Sequence, residues 1–179
     1  MTSSNPLSGG DTMQTSAVKK LNVKSTAFRT GETIPSEYTA DGENISPDLS
    51  WEGAPSGVKS FIILVEDPDI PIPKFLISSL VHWVVYNIAP ETTSIPKAFL
   101  NHGLSENSAT LGMTSYRKLQ YGGPCPPFGI HRYYFKVYAL DNKLDLQPRK
   151  ATKKNILKAM DGHILAYGEV MGTYKRKKK

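Results

Sequence analysis

Among 179 residues there is a single cysteine, Cys125, so no disulfide can close within the chain, and a reducing compartment fits. Long apolar runs are missing as well. The longest, such as residues 62–65, fall far short of the roughly 20 residues that a membrane-spanning helix needs. The first sixteen residues are rich in Ser, Thr and Gly, with neither a basic start nor an apolar stretch. They do not read as a secretory signal, and the expected location is the cytoplasm. Several catalytic signatures are absent too: G-x-S-x-G, H-E-x-x-H, a P-loop, a C-x-x-C pair and a dinucleotide-binding glycine pattern. Their absence argues against the standard hydrolases, zinc proteases, nucleoside triphosphatases and redox enzymes. The expectation is a protein that is not an enzyme and carries no cofactor.

A uniformly basic body is also lacking, although the formal charge is +6. Residues 149–179 carry ten Lys or Arg against Asp161 and Glu169, whereas the first 148 residues carry twelve against fourteen acids. The positive charge is thus a property of the C-terminal end, closing in Lys175-Arg176-Lys177-Lys178-Lys179. Only Tyr174 accompanies that run, so no stacking platform for nucleic acid is expected, and residues 175–179 read as a solvated basic tail.

Hydrophobic residues make up 39% and charged residues 21%, the balance of a globular domain. Residues 1–20 read as a flexible N-terminal segment and residues 21–174 as one domain, with no repeat or linker inside it. Residues 60–66, 82–88 and 133–140 are dense in β-branched and aromatic side chains and are expected to be strands, with 21–28 a weaker fourth. Thirteen prolines and fourteen glycines break the intervals into loops. Ile156, Leu157, Met160, Ile164 and Leu165 recur at helical spacing, so a helix is expected near the C-terminus. The fold class expected is mainly β, of the α+β kind.

Three polar clusters adjoin these strands. Asp67-Pro68-Asp69-Ile70-Pro71 follows the first strand directly: it is either a turn that ends the strand or a pair of carboxylates at a site. His82 opens the second strand, as a core histidine bonded to a carbonyl or as a site residue. Gly122-Gly123-Pro124-Cys125-Pro126-Pro127 leads into His131-Arg132-Tyr133. Such a loop is either a rigid connection or a nest of backbone N–H groups for an anion, with His131 and Tyr133 as added donors. The spacing of acids and histidines matches no metal pattern. Cys125 reads more readily as a small buried hydrophobe than as a nucleophile.

These blocks, in this order, resemble the phosphatidylethanolamine-binding protein family in its prokaryotic, Raf kinase inhibitor-like branch. The early segment Asp41-Gly42-Glu43-Asn44 through Ser46-Pro47 to Trp51, and the late residues Leu157, Met160, Gly162, His163 and Tyr174, are similar to that family as well. The resemblance implies a large antiparallel sheet, a smaller sheet packed on it, a C-terminal helix, and a small pocket for phosphate or a phospholipid headgroup. The residues it implies for ligand binding are Asp67, Asp69, Pro71, His82, Gly123, Pro124, His131 and Tyr133. It also implies a homodimer and, as the alternative function, a protein-docking inhibitor of serine proteases or kinases. The apolar stretch containing Phe75, Leu76 and Ile77 is expected either to wall the pocket or to form the dimer contact.

Overall fold

Eight consecutive buried residues form the strand β4 (Ser60–Asp67), and a strand buried on both faces has to lie in the middle of a sheet with a layer on each side. The computed structural model describes residues 17–100, 105–106 and 108–176. The other strands are β1 (Lys19–Lys20), β2 (Asn22–Lys24), β3 (Leu49–Glu52), β5 (Leu80–Ile88), β6 (Ser94–Ile95), β7 (Ser105–Glu106), β8 (Ala109–Leu111), β9 (His131–Leu140) and β10 (Ile164–Tyr174). The large sheet runs β1-β10-β9-β4-β5-β8-β7, and the small one β2-β3-β6. All pairings are antiparallel except β1 on β10, so the large sheet is mixed rather than purely antiparallel.

The pleat sorts the core into two layers. Phe61, Ile63 and Val65 of β4, with Trp83, Val85, Phe135 and Val137, pack against Leu49 and Trp51 of the small sheet. Ile62 and Leu64, with Val84 and Leu140, face the helix α1 (Lys153–Met160) through Ile156 and Met160. Each of these side chains contributes about 1.5–3 kcal/mol by leaving water, which is what holds the layers to β4.

The three expected strands are present, but two boundaries need correction. The helical periodicity is broken after Met160: Asp161 caps the helix, Gly162 takes a φ of +77°, and Ile164 and Leu165 open the strand β10. Alternation along β10 is hidden in the sequence because its inward positions include Ala166, Gly168 and Gly172. Those glycines answer close approach. A Cβ at Gly168 would stand 2.2 Å from the Leu21 carbonyl oxygen, and one at Gly172 would stand 2.4 Å from the Ile34 side chain. The second correction is at the N-terminal end, where Lys19 and Lys20 pair with Ala166 and Tyr167, so the fold starts before residue 21. The flexible segment expected for residues 1–16 lies outside the described residues.

A Gly168→Ala substitution should therefore destabilise the domain by about 1–3 kcal/mol, the range for forcing extra volume into a packed site. Thermal unfolding checks it, and an unchanged midpoint would show that β1 is not seated on β10 as described.

Candidate functional site

At the end of the large sheet where β4 stops and β5 and β9 begin, pleating decides which side chains meet. His131, Tyr133 and Phe135 of β9 point to the inner face, as do Val65 and Asp67 of β4. His82 joins them through an irregularity. Val65 pairs with Trp83 but Glu66 pairs with Val81, a β-bulge of β5. Strict alternation from Trp83 would send His82 toward α1; the extra residue returns it to the inner face beside Tyr133.

The result is a buried polar cluster. Asp67 Oδ2 accepts from His131 Nδ1 at 2.7 Å with both side chains only 4% exposed, and Asp67 Oδ1 accepts from the Asp69 amide at 2.8 Å. His82 lies edge-on to Tyr133 with ring centroids 5.3 Å apart, and to Tyr116 at 5.5 Å. Its Nδ1 stands 2.7 Å from the Gly122 carbonyl, which only accepts, so Nδ1 carries the hydrogen and donates it. Burial pushes the His82 pKa below the ordinary 6.5, more than the Gly122 carbonyl and the Asp67 charge restore, and the ring is neutral near pH 7. Its Nε2 is then a bare acceptor, buried and without a hydrogen-bond partner among the described residues. The Tyr133 hydroxyl is buried likewise, lying beside the Asp67 carboxylate and the Cys125 amide without a well-aligned bond to either. Burial first, then the Asp67 charge, raise its pKa, so it keeps its proton as a donor.

Other expected residues take different places. Asp69 does not enter the cluster. Its carboxylate accepts from the amide, Nε and Nη2 of Arg132 at 2.7–2.9 Å, bonds that hold its pKa below the carboxylate range and tie the loop after β4 to the start of β9. Pro71 is exposed in that loop. The backbone nest is not formed at Gly122 and Gly123: the Gly122 amide donates to the His82 carbonyl, and the Gly123 amide donates to Asn44 Oδ1 at 2.7 Å. Pro124 is buried and its carbonyl accepts from the Ala40 amide, whereas Cys125 is exposed rather than buried. Gly123 packs so closely on Tyr38, Thr39 and Asn44 that no Cβ fits there. These residues shape the wall; the polar atoms facing inward come from side chains.

Sequence reasoning missed several contributors. Tyr116 closes one side over His82, and Asn44, with its φ of +59°, carries Gly123; neither stands near the cluster in sequence. Arg176, expected in a solvated tail, is instead held by Asp41, which also accepts from the Tyr174 hydroxyl. On the outer face of the same strands Glu66, 4% exposed, takes Ser79 at 2.5 Å, Lys136 at 2.9 Å and Lys153 as partners, at the edge of a groove of about 460 Å³. Burial alone would raise the Glu66 pKa, but those three partners together pull it below the usual range. That cluster clamps α1 to the sheet. Among the described residues no three His, Cys, Asp or Glu side chains gather closely enough to hold a metal ion, so the inner site offers hydrogen-bonding groups.

The described residues thus form a β domain of two packed sheets with a small, buried Asp–His–His–Tyr cluster at one end of the main sheet. The sequence profile of the phosphatidylethanolamine-binding protein family matches residues 24–175. A UPF0098 protein of Methanothermobacter thermautotrophicus is 43% identical over 156 residues, covering 87% of this chain and 99% of its own length. The crystal structure of a phosphatidylethanolamine-binding protein homologue from Chlamydia trachomatis superposes with a TM-score of 0.77 at 37% identity, covering 89% and 99% of the two chains. Escherichia coli YbcL, described as a member of the mammalian family, gives a TM-score of 0.79 at 29% identity over 88% and 99%. The chain belongs to the phosphatidylethanolamine-binding protein family, in its prokaryotic branch.

The buried neutral His82 has a consequence for pH. Below the ordinary value of 6.5 the unfolded chain binds a proton there that the native state refuses, so stability falls as pH drops. Glu66 and Asp69, whose pKa values are lowered by folding, add losses only below their ordinary 4.5 and 3.8. Between about pH 6.5 and 5, His82→Gln should flatten the stability profile by up to about 1.4 kcal/mol per pH unit. Urea unfolding across that window is the test, and an unchanged slope would mean that His82 is not held neutral.

Proposed function

We propose that the protein is a non-enzymatic binding protein whose inner site takes a phosphate monoester or the phosphoryl headgroup of a phospholipid. The observation that carries this reading is the buried Nε2 of His82, which has no hydrogen-bond partner among the described residues and belongs to a ring packed edge-on against Tyr133, whose hydroxyl is also left without one. A buried polar atom without a partner is costly, on the order of 1–3 kcal/mol, and a ligand that meets it recovers that cost.

The polarity of the site specifies the ligand. His82 Nε2 and the Asp67 carboxylate are acceptors; the Tyr133 hydroxyl is a donor, and His131 Nε2 becomes one when that ring is protonated. A fully ionised anion would find two acceptors opposed to it. A phosphate monoester that retains one proton gives its O–H to His82 Nε2 and accepts from Tyr133 and from a protonated His131; the phosphodiester of a phospholipid headgroup has no such proton, so its ammonium group is the donor instead. An ammonium group, as in an ethanolamine headgroup, suits the Asp67 side.

Calorimetric titration with inorganic phosphate and with glycerophosphoethanolamine tests the reading. One site per chain is expected, and the His82→Ala/His131→Ala variant should lose about 1–3 kcal/mol for each charge-assisted hydrogen bond removed. Affinity that is unchanged in the double variant would place the ligand elsewhere.

A further inference from the structure

The outer face of the large sheet carries a second polar concavity, which the inner site does not use. This groove of about 460 Å³ is lined by Tyr134 and Lys136 of β9, Glu169 of β10, Lys153 at the start of α1, and Pro68 and Ser79 from the flanking loops. Its size lies within the range of about 300–1,000 Å³ usual for small-molecule sites. Pleating keeps it apart from the buried cluster: Arg132, Tyr134 and Lys136 alternate along β9 with the inward His131, Tyr133 and Phe135. The groove opens beside α1, on the side of the sheet opposite the small sheet.

Donors outnumber acceptors in this groove. Lys153 is fully engaged, donating to Glu66, to Ser79 Oγ at 2.8 Å and to Ser78 Oγ at 3.5 Å. Lys136 gives only one bond, to Glu66 Oε2, so two of its three ammonium hydrogens have no partner among the described residues. Its cross-strand neighbour Glu169 makes no ion pair with it and accepts from the Tyr167 hydroxyl instead. Arg132 keeps an open edge as well. Asp69 takes Nε and Nη2, Nη1 reaches the Tyr134 hydroxyl at 3.3 Å, and one hydrogen on each terminal nitrogen remains. The Arg132 guanidinium and Lys136 Nζ both lie over the Tyr134 ring, 5.8 and 5.9 Å from its centroid, so the unengaged donors converge. At the rim Lys74 donates to the Ser78 carbonyl at 3.4 Å. Against Lys74, Arg132, Lys136 and Lys153 stand the carboxylates of Glu66, Asp69 and Glu169, which leaves a single positive charge uncompensated.

We propose that the outer groove is a second binding site, for a small organic monoanion whose carboxylate bridges Lys136 and the open edge of Arg132 while its flat body lies against Tyr134 and Pro68. The planar fork of Arg132 matches a carboxylate, and Lys136 supplies a point charge beside it. One surplus positive charge sets the charge of the ligand, because a second negative group would face Glu169. Glu66 has a different part. Its burial beneath three donors fixes the ammonium of Lys136 in place, so that cation is held ready rather than ordered on binding. The site shares no ligand-contacting side chain with the inner cluster and stands or falls separately from the reading given for it.

Titration of the full chain, labelled with nitrogen-15, with benzoate, benzamide and benzylammonium tests the proposal by following backbone amide shifts. Benzoate should shift the amides of Tyr134, Lys136 and Lys153 saturably in the millimolar range, whereas the neutral and cationic analogues should not. Lys136→Met keeps the apolar stem and removes the ammonium, and should weaken benzoate by about tenfold. Glu169→Gln removes the opposing carboxylate at an exposed position outside the Glu66 clamp, and should tighten benzoate by about two- to threefold. A gain of affinity cannot come from a damaged fold, so Glu169→Gln decides the matter even if Lys136→Met loosens α1. Benzamide binding as well as benzoate overturns the proposal, because the cations would then have no part in recognition. So does an absence of saturable shifts at these amides into the tens of millimolar, or a response confined to the amides around His82 and His131, which would assign the carboxylate to the inner site. Unchanged affinity in Glu169→Gln overturns it too.

Discussion

Asp67 is the point on which the functional end of the sheet turns. Its buried carboxylate accepts from His131 on one oxygen and from the Asp69 amide on the other, so a single side chain holds the start of β9 and the first turn of the loop after β4. Removing one partner from a buried pair of this kind leaves an uncompensated polar group, a cost of about 3–5 kcal/mol. The pair orients an imidazole beside His82 Nε2 and the Tyr133 hydroxyl, two of the buried polar atoms left unpaired among the described residues.

That arrangement depends on pleating more than on any motif. Neighbouring residues in a strand face opposite ways, and at the ends of β4 and β9 this divides Glu66 from Asp67 and Arg132 from His131. The inward members make the small polar site; the outward ones are joined in ion pairs that fasten α1 and the loop after β4. The two faces differ in character because the small sheet and its loops cover the inner one, whereas the outer one stays open to water beyond the end of α1. No helix among the described residues is long and apolar enough to cross a membrane, and α1 spans only Lys153–Met160.

How a ligand is read follows from the same geometry. Loops containing Gly122 and Gly123 commonly suggest backbone donors for an anion, yet here both amides are engaged by His82 and Asn44. In the function proposed above, recognition passes to side chains, whose mixture of acceptors and donors favours ligands that bring a proton. Phe75, Leu76 and Ile77 are not part of this chemistry: they stand exposed on the loop after β4 rather than walling the buried site.

The sequence by itself determined the central strands, because runs of β-branched and aromatic residues at 60–66, 82–88 and 133–140 have few other stable uses, and it pointed to Asp67, His82, His131 and Tyr133 through the ordered blocks around them. It did not determine β10, whose inward positions are partly glycine because the chain around Leu21 and Ile34 presses against them, a contact between segments far apart in sequence. Nor did it determine that His82 faces inward, since that requires a bulge set by the pairing of β5 with β4. Asn44, Tyr116 and the Glu66 clamp were hidden for the same reason. Local pattern reports what a residue can do for its own strand; which polar atoms are left without partners is decided only when all the strands and loops have closed around them.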